Sequence, residues 1–252
     1  MATIGKYIYC FIKEKETVTF GNSTISSLNA PVYTITCKNI SAVVSDAPII
    51  DYDPTRKKIL SHQAIVNKVM EKYTIIPVAF GTVANKRKNV ETIINAYYEE
   101  FDELLENFKD KMEVGLRITW DKDYFNTDIE SDEIRRLKEM VSGKEEKRVL
   151  EEKIQLGRLV EAEIIVKRKE YENNIYKVLK DLSVNSKLKD KIPIKTVFNA
   201  YFLIEKSMEA VFDKEVGALA EVFKNKLTFN YTGPWPPYNF VDINIDMNVI
   251  SD

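Results

Sequence analysis

The chain is poor in the residues that build metal and thiol sites. Its 252 residues include one histidine and two cysteines. Sites made of several histidines or of four cysteines are therefore excluded, and so is a disulfide framework. Cys10 and Cys37 both lie in β-rich stretches, a setting typical of buried free thiols. We expect no metal site, and the low cysteine content favours a reducing compartment.

Glycine is also scarce, and none of the eight glycines forms a phosphate-binding loop. Neither the G-x-G-x-x-G pattern nor the Walker pattern occurs. Gly81, which follows Pro77-Val-Ala-Phe80, is a single glycine at the end of a β-rich stretch. We therefore expect a protein that works without a cofactor.

The chain lacks a strong charge of either sign and a long apolar run. Residues 1–111 carry a net charge of +1 and residues 112–252 a net charge of −3, for a total of −2. Neither part would produce the positive field of a nucleic-acid-binding protein. The largely apolar uncharged run Tyr73–Asn85 is too short to cross a bilayer, and the N-terminus has no basic region of a secretory signal. We expect a cytoplasmic protein with no nucleic-acid or lipid-membrane partner.

The overall composition is that of a folded protein, and the hydrophobic patterns divide the chain into two domains. Apolar residues make up 44% and charged residues 30% of the chain. The hydrophobic patterns read β–ββ–α–β–α up to Lys111 and β–α–α–β–α–β–β after it. We predict an α+β protein with two α/β sandwich domains, 1–111 and 112–252, the second including the proline-rich segment 233–238.

Three segments carry specific structural predictions. Apolar residues at three- and four-residue spacing predict one amphipathic helix from Val90 to Phe108. A capping box at Ser142–Glu145 predicts a long helix towards Leu182. A straight helix of that length would reach about 60 Å, so we expect a break near Gly157 or within 167–170. Residues 238–245 are predicted to form a strand.

His62, Asp51 and Asp53 are the candidate catalytic residues. His62 lies on the apolar stripe of a predicted helix, which favours a packed histidine over a general base. Asp51 and Asp53 could share a divalent cation, but Asp53 directly precedes Pro54 and is predicted to cap that helix. The alternative that these residues leave open is a small-molecule enzyme on an α+β scaffold that uses Asp51, Asp53 or His62.

The most distinctive segment is Gly233-Pro-Trp-Pro-Pro-Tyr238, here called the proline-rich corner. Its prolines restrict the backbone, while its two aromatic residues offer large amphipathic surfaces. One interpretation is a rigid corner that holds Trp235 on the core. The other is a preformed docking surface, for which the candidate partner-binding residues are Trp235, Pro236, Pro237 and Tyr238.

Four motifs in order carry a resemblance to a known family. They are Pro77-Val-Ala-Phe-Gly-Thr-Val83, Glu113-Val-Gly-Leu-Arg-Ile-Thr-Trp120, Leu156-Gly-Arg158 and Gly233-Pro-Trp-Pro-Pro-Tyr-Asn-Phe-Val241. With these motifs, the chain resembles the gas vesicle protein F/L family from Tyr7 to Ile245, with a closer resemblance to F than to L.

The resemblance implies a function and a fold. It implies a non-enzymatic accessory protein of gas vesicle assembly that binds the hydrophobic shell protein and other gas vesicle proteins. It also implies a cytoplasmic location and a minor presence in the vesicle itself. For the fold, it implies a ferredoxin-like N-terminal domain, followed by a modified α+β domain with a long helix.

Overall fold

The computed structural model describes residues 3–143 and 150–243. The chain forms two compact units. The first combines the residues up to Glu113 with the segment that begins at Pro234, and the second comprises Val114–Gly233. The predicted boundary at Lys111 lies two residues before the end of the first stretch, and the prediction places the whole proline-rich corner in the C-terminal domain. The chain from Pro234 onward instead belongs to the first unit.

An antiparallel sheet with three helices forms the first unit. Its strands are β1 (Ile4–Lys13), β2 (Thr19–Asn22), β3 (Pro31–Cys37), β4 (Ile40–Pro48), β5 (Ile75–Pro77) and β6 (Val83–Ala84). Its helices are α1 (Arg56–Met70), α2 (Arg87–Ala96) and α3 (Tyr98–Asn107). The sheet order is β2-β3-β4-β1-β5, and β6 also pairs with β1.

The central position of β1 follows from its sequence. Residues 7–12 are apolar or aromatic on both faces, and all six are buried. Such a strand needs cover on both sides, so it pairs with β4 on one edge and with β5 and β6 on the other. Beside it, β3 and β4 form the predicted hairpin, in which Lys38 adopts a positive φ of 57°.

Two local predictions in this unit are wrong. Helix α1 begins at Arg56 with Thr55 as its N-cap, so Asp53 does not cap it. The helix predicted from Val90 to Phe108 is divided into α2 and α3 at Tyr97, whose φ and ψ are −112° and 25°. Its apolar stripe nevertheless continues across the break, because Ile94 and Phe101 are both fully buried.

The second unit has a four-stranded sheet. Its strands are β7 (Lys111–Trp120), β8 (Asn185–Leu188), β9 (Thr196–Glu205) and β10 (Leu227–Trp235), in the order β10-β7-β9-β8. Its helices are α4 (Phe125–Asp128), α5 (Asp132–Val141), α6 (Leu150–Tyr171), α7 (Lys177–Asp181) and α8 (Glu209–Val222). Ser131 caps α5 by accepting a hydrogen bond from the Ile134 N–H.

The two sheets share one strand order. Numbered along the chain, the four strands of the second unit are ordered 4-1-3-2, and helices fill both crossovers of its β-α-β-β-α-β sequence. In the first unit, β5-β1-β4-β3 has the same order, but the extended β2 segment replaces the first crossover helix. The predicted α+β class is confirmed, and both units use the ferredoxin-like strand order.

The long predicted helix is interrupted later than expected. Helix α6 passes through Gly157 and through 167–170 without a break. A π-helical turn, Glu172–Tyr176, then joins α6 to α7, with Ile175 fully buried. The capping box at Ser142–Glu145 extends beyond the described residues.

The segment after β10 is not a strand where the structure describes it. Tyr238–Phe240 forms one turn of 3-10 helix, and residues 241–243 have no regular structure. Prolines at 236 and 237 lack the N–H groups that a ladder needs, which explains why β10 ends at Trp235. Residues 244–245 of the predicted strand lie outside the described residues.

Candidate functional site

The proline-rich corner is folded into the protein through its last three residues. Pro236 and Pro237 are buried and Tyr238 is half-buried, whereas Trp235 is half-buried and Pro234 is exposed. The Tyr238 N–H donates to the Pro236 carbonyl at 2.7 Å, and the Phe240 N–H donates to the Pro237 carbonyl at 3.0 Å. The corner is therefore a rigid turn whose two aromatic residues, Trp235 and Tyr238, are both half-buried.

A chain of hydrogen bonds connects the corner to β1 and α1. The Gly81 N–H donates to the Tyr7 hydroxyl at 2.9 Å. The Tyr7 hydroxyl and His62 Nδ1 are 3.0 Å apart, and His62 Nε2 lies 3.4 Å from the Tyr238 hydroxyl. Both ring nitrogens of His62 therefore face tyrosine hydroxyls, and the donor in each contact depends on which ring nitrogen carries the hydrogen.

The surroundings of His62 keep it neutral. Its side chain is 2% exposed, and the rings of Tyr9, Tyr7 and Phe80 lie 5.5, 5.7 and 6.0 Å from its own. Burial lowers the pKa of His62 to about 4, while a hydrogen bond to the Val78 backbone acts in the opposite direction. Its ring nitrogens contact tyrosine hydroxyls, so the structure gives this histidine a packing role.

The carboxylates of Asp51 and Asp53 do not belong to a metal-binding group among the described residues. Asp51 and Asp53 are both exposed. Within residues 3–143 and 150–243, no group of three or more histidine, cysteine or acidic side chains is placed to hold a metal ion. The Asp53 carbonyl accepts the Thr55 N–H at 2.8 Å, so Asp53 shapes the entry to α1 through its backbone.

Glu113 anchors the residue that follows the corner. This carboxylate is 3% exposed, and it accepts hydrogen bonds from the backbone N–H of Asn239 at 2.8 Å and from the Asn239 side-chain amide at 2.6 Å. Bonds to a buried carboxylate are stronger than neutral ones. The sequence analysis did not single out Glu113 or Asn239, although both lie within the motifs that carry the family resemblance.

An apolar cavity of about 310 Å³ lies beside Tyr238. Its walls come from β1, from β5 and the residues after it, from α2, and from the segment after the corner. The residues are Ile8, Phe11, Ile76, Pro77, Val78, Ala79, Thr82, Ile93, Tyr238, Val241 and Ile243. The lining suits an aliphatic or aromatic group. Among the described residues, the lining contains no carboxylate, no histidine and no basic side chain.

Both cysteines are free thiols. Cys10 is fully buried in β1, and burial raises the pKa of its thiol. Cys37 lies at the end of β3, and its thiol donates to Asn95 Oδ1 at 3.1 Å. A buried, protonated thiol is a poor nucleophile, so Cys10 serves the core.

These features define a two-unit α+β protein whose distinctive segment is a partly buried, hydrogen-bonded corner. Comparison with known proteins gives the family. The family described as gas vesicle synthesis protein GvpL/GvpF matches residues 5–242. The chain therefore belongs to the GvpL/GvpF family.

The individual relatives are distant in sequence, but the matched region covers most of the length of each. The chain is 25% identical to gas vesicle protein F1 of Halobacterium salinarum over 217 residues, which is 85% of this chain and 83% of that protein. It is 26% identical to gas vesicle protein F of Microcystis aeruginosa over 251 residues, 96% of this chain and 99% of the relative.

The fold is also that of a solved structure. The crystal structure of GvpF from Anabaena sp. PCC7120 superposes with a TM-score of 0.80 at 23% identity, and the match covers 95% of this chain and 99% of the other.

Among the helices described here, none is both long enough and apolar enough to cross a membrane.

Proposed function

We propose that this protein is a non-catalytic accessory factor of gas vesicle assembly that binds the hydrophobic shell protein and other gas vesicle proteins in the cytoplasm. A small part of it stays with the finished vesicle as a minor component. Membership of the GvpL/GvpF family over residues 5–242 is the observation that carries this proposal. The packed state of His62 and the exposure of Asp51 and Asp53 give the enzymatic alternative no support.

A physical need for such a factor follows from the chemistry of the shell. Before a shell subunit joins the growing wall, its apolar surface faces water and would associate with other copies. A protein that covers this surface temporarily must itself expose apolar side chains, and it must bind weakly enough to release the subunit.

Helix α6 offers apolar side chains of this kind. Leu150 and Ile154 near its start are 57% and 49% exposed, and Ile165 and Val166 near its end are 60% and 59% exposed. Ile154 and Ile165 are separated by about 16 Å along the helix axis. Only Ile164 and Tyr171 of this helix are buried among its described side chains. We place the main shell-protein contact on α6, with the half-buried Trp235 of the proline-rich corner as a second contact.

Co-expression with the shell protein, followed by affinity purification of this protein at moderate salt, tests the binding. We expect the shell protein to be retained and to stay in solution. If no complex forms at any ratio of the two proteins, the binding proposal is wrong. Deletion in a gas-vesicle-forming host tests the assembly role, and normal vesicles without the protein would contradict it.

Single substitutions test where the contact lies. Ile165→Asp adds one negative charge on the exposed apolar part of α6, and we expect it to reduce shell-protein retention severalfold. Gln155→Asp adds the same charge at an exposed polar position of the same helix and is the control. Trp235→Ala tests the second contact. Equal retention by Ile165→Asp and Gln155→Asp would remove α6 from the interface.

A further inference from the structure

Strand β10 has one open edge, on the side that faces away from β7. Among residues 3–143 and 150–243, β10 is the last strand of its sheet and pairs with β7 alone. Every residue from Thr228 to Gly233 is exposed or half-buried, so this edge is accessible. An edge strand presents a row of N–H and C=O groups with which a further strand can pair.

The usual protection of a sheet edge is weak in β10. Strands β2, β5, β6 and β8 each contain four residues or fewer, and short edge strands offer little to pair with. β10 has nine residues and no charged side chain among them, although charges are a common means of keeping edges apart. Gly233, with a φ of 132°, and Pro234 disturb its far end. The regular part of the open edge is therefore Leu227–Thr232.

The pairing with β7 determines which backbone groups of β10 face outward. The Asp121 N–H donates to the Lys226 carbonyl at 2.9 Å, and the Thr232 hydroxyl donates to the Gly115 carbonyl at 3.4 Å. The two contacts are equally far apart on both strands, from 115 to 121 and from 226 to 232, so the strands are antiparallel in one register. Residues of β10 in phase with Lys226 therefore bond to β7. The alternate residues direct their N–H and C=O groups to the open edge.

The sequence of this edge is nearly symmetric about Asn230. From Thr228 to Thr232 the chain reads Thr-Phe-Asn-Tyr-Thr. Two antiparallel copies around a two-fold axis at Asn230 would place Phe229 opposite Tyr231, and Thr228 opposite Thr232. Aromatic pairs and Thr–Thr pairs are favourable across strands, and no like charges would meet. Because Phe229 and Tyr231 carry outward N–H groups, their two pairs would exchange about four backbone hydrogen bonds.

We propose that the open edge of β10 pairs with the same edge of a second copy of this chain, antiparallel and centred on Asn230. The two four-stranded sheets then form one continuous sheet across the dimer axis. The partner is a second copy because the uncharged, symmetric sequence is complementary to itself. The paired stretch is about 20 Å long, which is small for a stable interface, so the dimer is reversible. This inference does not depend on a role in gas vesicle assembly.

Sedimentation velocity of the full chain over a range of concentrations measures the association, and we expect a reversible shift from monomer to dimer. Asn230→Lys places two lysines opposite each other at the axis and should weaken the dimer severalfold. Asn185→Lys adds the same charge to an exposed asparagine of β8, the other edge strand of this sheet, and should leave the dimer unchanged. A monomer at all concentrations, or equal weakening by both variants, would overturn the proposal.

Charge complementation separates the axis contact from any loss of folding. When it is mixed with Asn230→Glu, the Asn230→Lys protein should dimerise more tightly than it does alone, because each lysine then faces a glutamate. A mixture that associates no better than Asn230→Lys alone would contradict an axis at Asn230.

Amide hydrogen exchange of the full chain, followed by nuclear magnetic resonance, locates the contact. The N–H groups of Phe229 and Tyr231 should gain protection as the protein concentration rises, whereas that of Asn230, in phase with the bonds to β7, should be protected throughout. In Asn230→Lys the two outward amides should stay unprotected. Suppose instead that their protection requires an added gas vesicle protein while this chain alone stays monomeric. That result would overturn the proposal, because the occupant would then be a strand of a different protein.

Discussion

The carboxylate of Glu113 accepts two hydrogen bonds from Asn239, although the two residues are 126 positions apart in the chain. The acceptor is 3% exposed, so these bonds are shielded from water. They fix the 3-10 turn that follows the proline-rich corner and, with it, the wall of the apolar cavity.

Glu113→Ala should destabilise the protein by about 2–4 kcal/mol, because it leaves the Asn239 N–H and amide group without their acceptor. Urea unfolding measures this loss, and hydrogen exchange of residues 238–243 should accelerate more than that of β1. Glu103→Ala removes an exposed glutamate of α3 and should change the stability by less than about 0.5 kcal/mol. If both variants lose the same small amount, the Glu113 contact does not hold the segment.

His62 gives the stability of the protein a pH dependence of known sign. Its pKa is about 4 in the folded protein and about 6.5 in the unfolded chain. Between these values the unfolded chain binds more protons, so the contribution of His62 to stability is complete above about pH 6.5 and is lost as the pH falls towards 4. The maximum loss from this group is about 3 kcal/mol.

Two measurements separate His62 from the carboxylates that titrate nearby. Because the chain has a single histidine, one imidazole proton signal reports its titration directly, and its midpoint should lie well below 6. His62→Gln should unfold with a smaller loss of stability between about pH 7 and pH 4 than the natural chain. A midpoint near 6.5 would show that the histidine is not buried in solution.

The elements that could be predicted are those whose hydrophobic pattern lies within one short stretch of sequence. The two-faced apolar run at residues 7–12 predicted a central strand, and the stripe from Val90 to Phe108 predicted a helix. The break at Tyr97 has no local signal, because neither proline nor glycine is present there. Asp53 and Pro54 match a helix-start pattern, but the helix begins two residues later, at Arg56, with Thr55 as its N-cap.

The candidate site depends on contacts that a sequence pattern does not contain. His62 and Tyr238 are 176 positions apart, and only the return of the chain to the first unit brings them together. The proline-rich corner was recognised from composition, and its rigidity followed from its prolines. Its anchors, Tyr7, His62 and Glu113, could not be identified from the sequence because their partners come from distant elements.

Asp128 connects three parts of the second unit. Its Oδ2 accepts hydrogen bonds from Trp120 Nε1 at 2.8 Å and from the Tyr171 hydroxyl at 2.7 Å, and Lys167 lies 3.7 Å from its Oδ1. The side chain is 6% exposed. Asp128→Ala should cost about 2–4 kcal/mol, because two buried donors and a nearby cation lose their partner.

Urea unfolding followed by tryptophan fluorescence measures this effect, since the indole of Trp120 is one of the donors. Asp128→Asn keeps one acceptor oxygen and should lose less than the alanine variant. Asp132→Ala is the matched control, because its carboxylate is 99% exposed and its pairing with Arg135 is a surface ion pair worth at most about 1 kcal/mol. Equal losses at positions 128 and 132 would contradict the role of Asp128.

Two glycines should respond in opposite directions to the same added methyl group. A Cβ on Gly5 would lie 2.5 Å from the Ala84 carbonyl oxygen and 2.8 Å from the Ile49 side chain, so Gly5→Ala must push β1 and β6 apart. We expect a loss of about 1–3 kcal/mol. A Cβ on Gly217, in the interior of α8, meets nothing within 4 Å. Gly217→Ala should therefore stabilise the protein by about 0.5–1 kcal/mol through the lower entropy of the unfolded chain and the higher helix propensity of alanine.

Thermal and urea unfolding of both variants check this pair, and Gly157→Ala in α6, which is equally open, provides a second helical position. Because all three changes are chemically identical, the difference between them isolates the local backbone environment. A stabilising Gly5→Ala would mean that β1 and β6 are not as close in solution as their pairing at Lys6 and Ala84 requires. A destabilising Gly217→Ala would mean that α8 has a neighbour on that side, and the most direct candidate would be a second protein bound there.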